Sequence, residues 1–204
     1  MRMLERAARR ADLPLRYSQG FNPRPQLSLL PPRPVGVATR GDLLTLRLDG
    51  EVDPVELPRR MNEQAPEGLS FLRAEALACR AGPRAQCQEF CTSLTPPEAS
   101  AASRRVEELR GQGAWPVQRE VASGGRRRPK MRTAKAIDLR PLVRELRVEG
   151  RRLAFVLQPQ GDVWARPAEV LRILGLDEAL HLAATVRVAT DFGLLRPTGA
   201  GGDG

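Results

Sequence analysis

The side chains best suited to touch a phosphate or stack on a base crowd into one short run, RYSQGFNPRP at residues 16–25. It opens a loop, residues 16–36, that carries five prolines and three arginines between two short apolar runs. The stretch is too polar for a core strand and too rich in proline for a helix. Arg16 and Arg24 supply planar guanidinium forks that suit phosphate. Tyr17 and Phe21 supply ring faces for an unpaired base, with Gln19 and Asn22 as polar neighbours. Gly20 and Asn22 suit positive φ, and the prolines remove backbone freedom before any ligand arrives, which lowers the entropic cost of binding. A second use of the same residues is structural: Tyr17 and Phe21 would then anchor the loop on the core while the prolines stiffen it.

A second cluster follows two glycines in GGRRRPKMRTAK: Arg126, Arg127, Arg128, Lys130, Arg132 and Lys135. Six cations on an insertion between strands, residues 123–135, would bind a phosphate backbone with strong salt dependence and little sequence preference. The alternative is a solvated hairpin tip. Nucleic-acid binding is therefore expected through Arg16, Tyr17, Gln19, Phe21, Asn22 and Arg24 together with the six cations of the insertion.

Chemistry beyond binding has little to work with. Cys87 and Cys91 have the first spacing of a Cys-x3-Cys-x2-Cys cluster site, but Leu94 stands where the third thiolate belongs. On a strand those two positions share a face roughly 13 Å apart, too far for one metal. His181 is the only histidine and lies in the helical run LDEALHLAA, a setting typical of a packed or exposed helix residue. No Gly-x-Ser-x-Gly, phosphate-binding Walker loop or metal-spaced carboxylate pair is present. Asp138 follows the basic insertion and suits the cap of a short helix. No catalysis and no cofactor are expected.

Global charge agrees with a polyanionic partner. The 204 residues hold 33 Lys and Arg against 24 Asp and Glu, a formal charge of +9, and most of the cations are arginine. Such a field attracts nucleic acid, although a base composition that favours arginine codons raises the same count. Five Phe, two Trp and one Tyr are too few for a wide base-stacking platform. No apolar run approaches the roughly 18–20 residues of a membrane span, and the N-terminus is a basic amphipathic helix, unlike a signal peptide. Three cysteines, Cys79, Cys87 and Cys91, make no even disulfide framework, so a reducing, cytoplasmic location is expected.

The elements that must position these groups alternate between helix and strand. Residues 2–11 set Met3, Leu4, Ala7, Ala8 and Ala11 against a face of arginines: a helix. Short strands are expected in LPLRYS and QLSLL on either side of the loop, and in DLLTLRLDG. A helix follows in DPVELPRRMNEQ, capped by Asp53, and then a strand in GLSFLRAEAL. From about Arg84 the order is strand (AQCQEFCTSL), helix (PPEASAASRRVEELRGQG), strand (WPVQREV), strand (RRLAFVLQP), helix (RPAEVLRILG) and strand (ATVRVATDF), with the basic insertion set aside. That is the ferredoxin-like βαββαβ order, and the first half matches it if one strand is added ahead of residue 1. The expected fold is α+β, with tandem ferredoxin-like units at 1–80 and 84–192, the first lacking its N-terminal strand, and a flexible tail at 193–204.

The first of these blocks carries a resemblance. A helix of the form L-x-R-A-x-R-R-A-x-L-P is present as Leu4, Arg6, Ala7, Arg9, Arg10, Ala11, Leu13 and Pro14. It is followed at once by Y-S-x-G-F-N-P-x-P, present as Tyr17, Ser18, Gly20, Phe21, Asn22, Pro23 and Pro25. Looser matches follow in order at Glu67 to Leu69, Asp138 to Pro141 and Arg166 to Leu171. The chain thereby resembles the radical SAM-linked proteins of bacteria, an uncharacterised domain fused to or encoded beside cobalamin-binding radical SAM proteins. The resemblance implies an accessory protein, working with RNA or a ribosomal particle and with such an enzyme as partner. Members of that family carry a strand and turn ahead of the helix. The resemblance therefore implies roughly 20–30 residues ahead of Met1, and an unpaired inner strand edge beside the residue 2–11 helix. Two other readings suit the same sequence: a subunit that docks on the enzyme without touching nucleic acid, and an RNA-processing enzyme.

Overall fold

The computed structural model of the chain describes residues 2–77, 82–123 and 131–193, with backbone alone for 121–123 and 131–132. Along the chain come α1 (Arg2–Arg10), β1 (Leu27–Leu30), β2 (Ala38–Thr39), β3 (Leu43–Leu46) and α2 (Glu56–Asn62). They are followed by β4 (Cys87–Ser93), α3 (Pro96–Arg110), β5 (Pro116–Ser123), β6 (Met131–Asp138) and a 3-10 turn at Arg140–Leu142. The series ends with β7 (Val143–Glu149), β8 (Arg152–Leu157), α4 (Pro167–Ile173), α5 (Glu178–Ala184) and β9 (Val186–Asp191). The fold is mixed α+β. It divides into two compact units, residues 1–32 with 42–83, and residues 33–41 with the chain from 84 onward. Among the described residues no helix is long and apolar enough to cross a membrane.

The first unit is built around α1. Leu4, Ala7 and Ala8 are buried, because apolar side chains three and four residues apart share one face of a helix. Met3, expected on that face, is 47% exposed. Small alanines let α1 sit close to Leu13, Leu15 and the fully buried Met61, with Leu44, Leu46 and Phe71 packed around them. The end of α1 is closed from α2: the Arg60 guanidinium donates to the carbonyls of Ala11 (2.6 Å) and Asp12 (2.7 Å), which lack partners within the helix. In α2 the Asp53 carboxylate accepts from the Val55 N–H at 2.9 Å, and Pro58 falls in the first turn, where its missing donor is harmless. β1 and β3 pair antiparallel, from Leu27 opposite Leu46 to Leu30 opposite Leu43.

Two strands expected in this unit are not formed. LPLRYS contributes only isolated bridges, Leu15 with Leu48 and Tyr17 with Pro25. GLSFLRAEAL has no strand at all. Its Phe71 N–H donates to the Asn62 side chain at 2.7 Å and its carbonyl accepts from the same amide at 2.8 Å, so one side chain takes both groups a ladder would use. Among the described residues, then, the first unit holds a two-stranded sheet and two helices.

The second unit holds a five-stranded sheet in the order β2-β9-β4-β8-β7. β4 runs antiparallel to both β8 and β9, and β7 runs antiparallel to β8, whereas β2 pairs parallel with β9. Gln88, Phe90 and Thr92 on β4 alternate inward, and Phe90 stacks on Phe155 of β8 with ring centroids 5.2 Å apart. Ala102, Val106 and Leu109 of α3 and Val170 and Leu171 of α4 share that core. Pro96 and Pro97 open α3 and Gly111 ends it, as the sequence predicts, and a Thr95–Glu98 capping box closes its first turn.

One strand is reassigned. WPVQREV was expected in this sheet, but β5 leaves it and pairs along all eight residues with β6, Pro116 opposite Asp138 through Ser123 opposite Met131. β7, Val143–Glu149, takes the vacated position beside β8. The described part of the basic insertion, Ser123 and residues 131–135, therefore belongs to a two-stranded ribbon. The ribbon's base is locked to α4, where the Arg119 guanidinium donates twice to Glu169, both contacts 2.6 Å, and once to the Trp164 carbonyl at 2.8 Å. Glu169 is 3% exposed, so this ion pair lies in the interior.

Candidate nucleic-acid interface

In the first unit, residues 16–26 form a hairpin-like loop pinned at its neck. The Arg16 N–H donates to the Arg47 carbonyl and the Gln26 N–H to the Arg16 carbonyl, both at 2.8 Å. Ser18 closes the loop from inside: its N–H donates to the Arg24 carbonyl at 2.8 Å, and its hydroxyl accepts from the Arg24 N–H at 3.0 Å. Pro25 is buried and bridged to Tyr17. Gly20 turns the tip with φ at 128°, which only glycine adopts at little cost. Asn22, expected to share that role, is not among the residues with positive φ.

This frame puts the candidate residues in different positions. Gln19, Phe21, Asn22 and Arg24 stand exposed at the tip, and Phe21 is 104% exposed, in contact with nothing that would anchor it. Tyr17 lies at the neck, 37% exposed, with the Arg9 guanidinium 5.6 Å above its ring. Such a cation–π contact fixes the ring and leaves part of one face open. Arg16 is engaged: its Nε donates to Asp49 at 2.5 Å, so its charge is partly neutralised. The two aromatics thus divide the two roles that the sequence left open, Tyr17 held in place and Phe21 presented.

In the second unit, Arg126, Arg127, Arg128 and Lys130 lie outside the described residues. Arg132 is on β6, its backbone opposite Ala122. Lys135 is exposed on β6, opposite Arg119. Beside the ribbon's base, a cleft of about 790 Å³ runs between the end of α3 and β7, lined by Trp115, Arg110, Arg140, Arg144 and Arg147. The Arg140 guanidinium lies 5.9 Å above the Trp115 ring. Asp138, expected as the cap, stands one residue ahead of the N-cap Leu139 and accepts from the N–H groups of Arg140 (3.0 Å) and Trp115 (2.7 Å). Arg110 pairs with Glu107 and Arg147 with Glu145, while Arg140 and Arg144 form no ion pair among the described residues; the carboxylates of Asp138 and Glu145 line the same cleft. The cleft escaped the sequence because its cations come from three separate elements, and Arg144 sits at a bulge between β7 and β8 that re-aims it.

The remaining candidates are quiet. His181 is 4% exposed: its Nδ1 lies 2.9 Å from the Asp177 carbonyl, to which it donates, and its Nε2 lies 3.3 Å from Glu98. Cys87 and Cys91 are free thiols, half-buried on the face of β4 opposite Phe90, and Cys79 lies outside the described residues. Burial, and then the Asp191 charge, push the Cys87 thiol up, which disfavours a reactive thiolate at neutral pH.

Neither a curated protein nor a solved structure matches the chain. A protein-family comparison does match, over residues 1–167, which takes in α1, the loop, the cleft and the ribbon. The chain belongs to the family described as "Uncharacterized protein conserved in bacteria (DUF2344)".

Proposed function

We propose that the protein is a cytoplasmic RNA-binding accessory protein that holds RNA, free or within a ribosomal particle, and performs no reaction itself. The observation that carries this reading is Phe21, a fully exposed ring on a loop tied at its neck and flanked by Arg24. An aromatic held out in this way loses apolar contact with the core and gains nothing for folding, but it can stack on a base at small entropic cost. The basic ribbon and the arginine-lined cleft of the second unit add phosphate contacts without sequence preference.

The frame of the second unit supports the same reading. With the ribbon set aside, β4, β7, β8 and β9 follow βαββαβ connections in the spatial order 4-1-3-2, the ferredoxin-like arrangement on which RNA-recognition modules are also built. Those modules stack bases on aromatics of the open sheet face. Here Phe90 and Phe155 turn inward, and the opposite face of β4 carries Cys87, Glu89 and Cys91, so binding falls to the loop and ribbon. The role beside a cobalamin-binding radical SAM enzyme is supported by the resemblance of the Leu4 to Pro25 motif.

The test is RNA affinity of the full chain across a salt series. Affinity should fall steeply with salt, and replacing Arg126, Arg127 and Arg128 by alanine should flatten the slope by about two to three counterions. Absence of binding at low salt would overturn the reading in favour of a docking subunit that touches no nucleic acid.

A further inference from the structure

We propose that the exposed face of α1 is the track for the phosphates of a single-stranded polynucleotide, one of whose bases stacks on Phe21. The inference rests on the nucleic-acid reading above and specifies its ligand. Arg2, Arg6, Arg9 and Arg10 are all exposed, and their spacing by three and four residues sets them along one side of the helix, away from Leu4, Ala7 and Ala8.

Elsewhere most α-helical arginines meet a carboxylate, although Arg60 meets backbone carbonyls and Arg104 of α3 forms no ion pair among the described residues. Arg59 pairs with Glu56 and Glu63, Arg105 with Glu108, and Arg110 with Glu107. On α1 none of the four arginines meets a carboxylate among the described residues. Helix stability does not account for the arrangement either. Arg9 and Arg10 suit the helix C-terminus, but Arg2 stands in the first turn, where the helix dipole opposes a positive charge.

The stripe leads to the loop. Arg9 lies over Tyr17, Tyr17 is bridged to Pro25, and the segment between them carries Phe21 and Arg24 at its tip. From Arg2 to Arg10 the helix rises about 12 Å, enough for a few successive phosphates. A protruding ring selects an unstacked base, because a duplex hides its base faces and A-form RNA closes its major groove to side chains. A single strand satisfies both halves of the surface, with its backbone on α1 and a base on Phe21.

The experiment compares the full chain binding a fluorescent oligouridine of about 12 nucleotides, within the range for one binding site, and an RNA duplex of the same length, from about 50 to 200 mM salt. Single strand should be preferred. The triple variant Arg2→Gln, Arg6→Gln, Arg10→Gln should lower the salt slope for single strand by about two, at roughly 0.7 per cation. Glutamine keeps helix propensity near that of arginine, and circular dichroism verifies the fold. Phe21→Ala should lower affinity about 5- to 150-fold at constant slope. A folded triple variant with the wild-type slope would remove α1 from the interface while leaving loop and ribbon as RNA contacts. Duplex bound as tightly as single strand would overturn the ligand class. Binding of neither, with capture of an acidic peptide instead, would overturn this inference together with the reading beneath it.

Discussion

Glu169 is the most deeply buried carboxylate of the ribbon's anchor, and Arg119 is its counter-charge. Among the described residues its oxygens accept twice from Arg119, at 2.6 Å each, and once from the Arg166 N–H at 2.8 Å. Arg119→Ala removes both charge-assisted bonds and leaves an ionised group 3% exposed with one neutral donor. Each such bond is worth about 1.5–3 kcal/mol, and breaking a buried pair from one side costs about 3–5 kcal/mol. We expect a loss of about 4 kcal/mol, close to a thousandfold in the folding equilibrium. Replacing both partners at once, Arg119→Met with Glu169→Leu, should cost little, because the desolvation of two charges disappears with their attraction. Urea unfolding followed by tryptophan fluorescence suits the measurement, since the chain's two tryptophans, Trp115 and Trp164, both lie at this base. If Arg119→Ala costs under about 1 kcal/mol, as exposed pairs do, or if the double replacement is as damaging as the single one, the anchor described above is wrong.

Phe21→Ala should leave the thermal midpoint unchanged, within the ±0.5 kcal/mol usual for surface sites, because nothing packs on the ring; a clear drop in a melting curve would make it an anchor after all. Glu98 accepts from the hydroxyl and the N–H of Thr95, and these bonds, with a smaller contribution from His181, hold its carboxyl below the usual carboxylate range. A pKa lower in the folded than in the unfolded chain stabilises above the unfolded value and ceases to do so as pH falls through the folded one. The stability gap between wild type and Glu98→Gln should therefore be full near neutral pH and close under acid conditions. Parallel urea titrations from neutral to acid pH measure it, and a gap that stays constant or widens in acid refutes the assignment.

Where local chemistry decides a structure, the sequence is readable. α3 is framed by Thr95, Glu98, Pro96, Pro97 and Gly111, each acting within one turn of itself, and the helix has the expected limits. Asp53 and Asp138 each accept from the N–H two residues on and so close the turn ahead of α2 and of the 3-10 turn, although the N-cap positions are Val55 and Leu139. Where a partner far along the chain decides, it is not. GLSFLRAEAL has strand composition, yet the Asn62 side chain claims Phe71's backbone groups. β7 escapes notice because the bulge at Arg144 breaks its alternation, leaving Val143, Leu146 and Val148 out of step. β5 reads as a sheet strand because its own residues cannot say which neighbour they pair with. The loop shows the same limit at the site. An aromatic among glycine and proline suits an anchor and a presented ring equally, and only the packing around it separates Tyr17 from Phe21.

The short strand Ala38–Thr39 has a consequence for how this protein can be divided. It reaches the second unit's sheet from a segment flanked on both sides by residues of the first unit, and it pairs with Val186 and Arg187. The polypeptide therefore passes from one unit to the other three times, after residues 32, 41 and 83. A gene fragment that starts at residue 84 encodes β9 without its outer neighbour, and an unpaired edge of that kind invites pairing between chains. Neither unit is an exchangeable module. A recombination event at the apparent boundary would deliver one sheet short of a strand and one loop without its continuation, so the two units are inherited together or not at all.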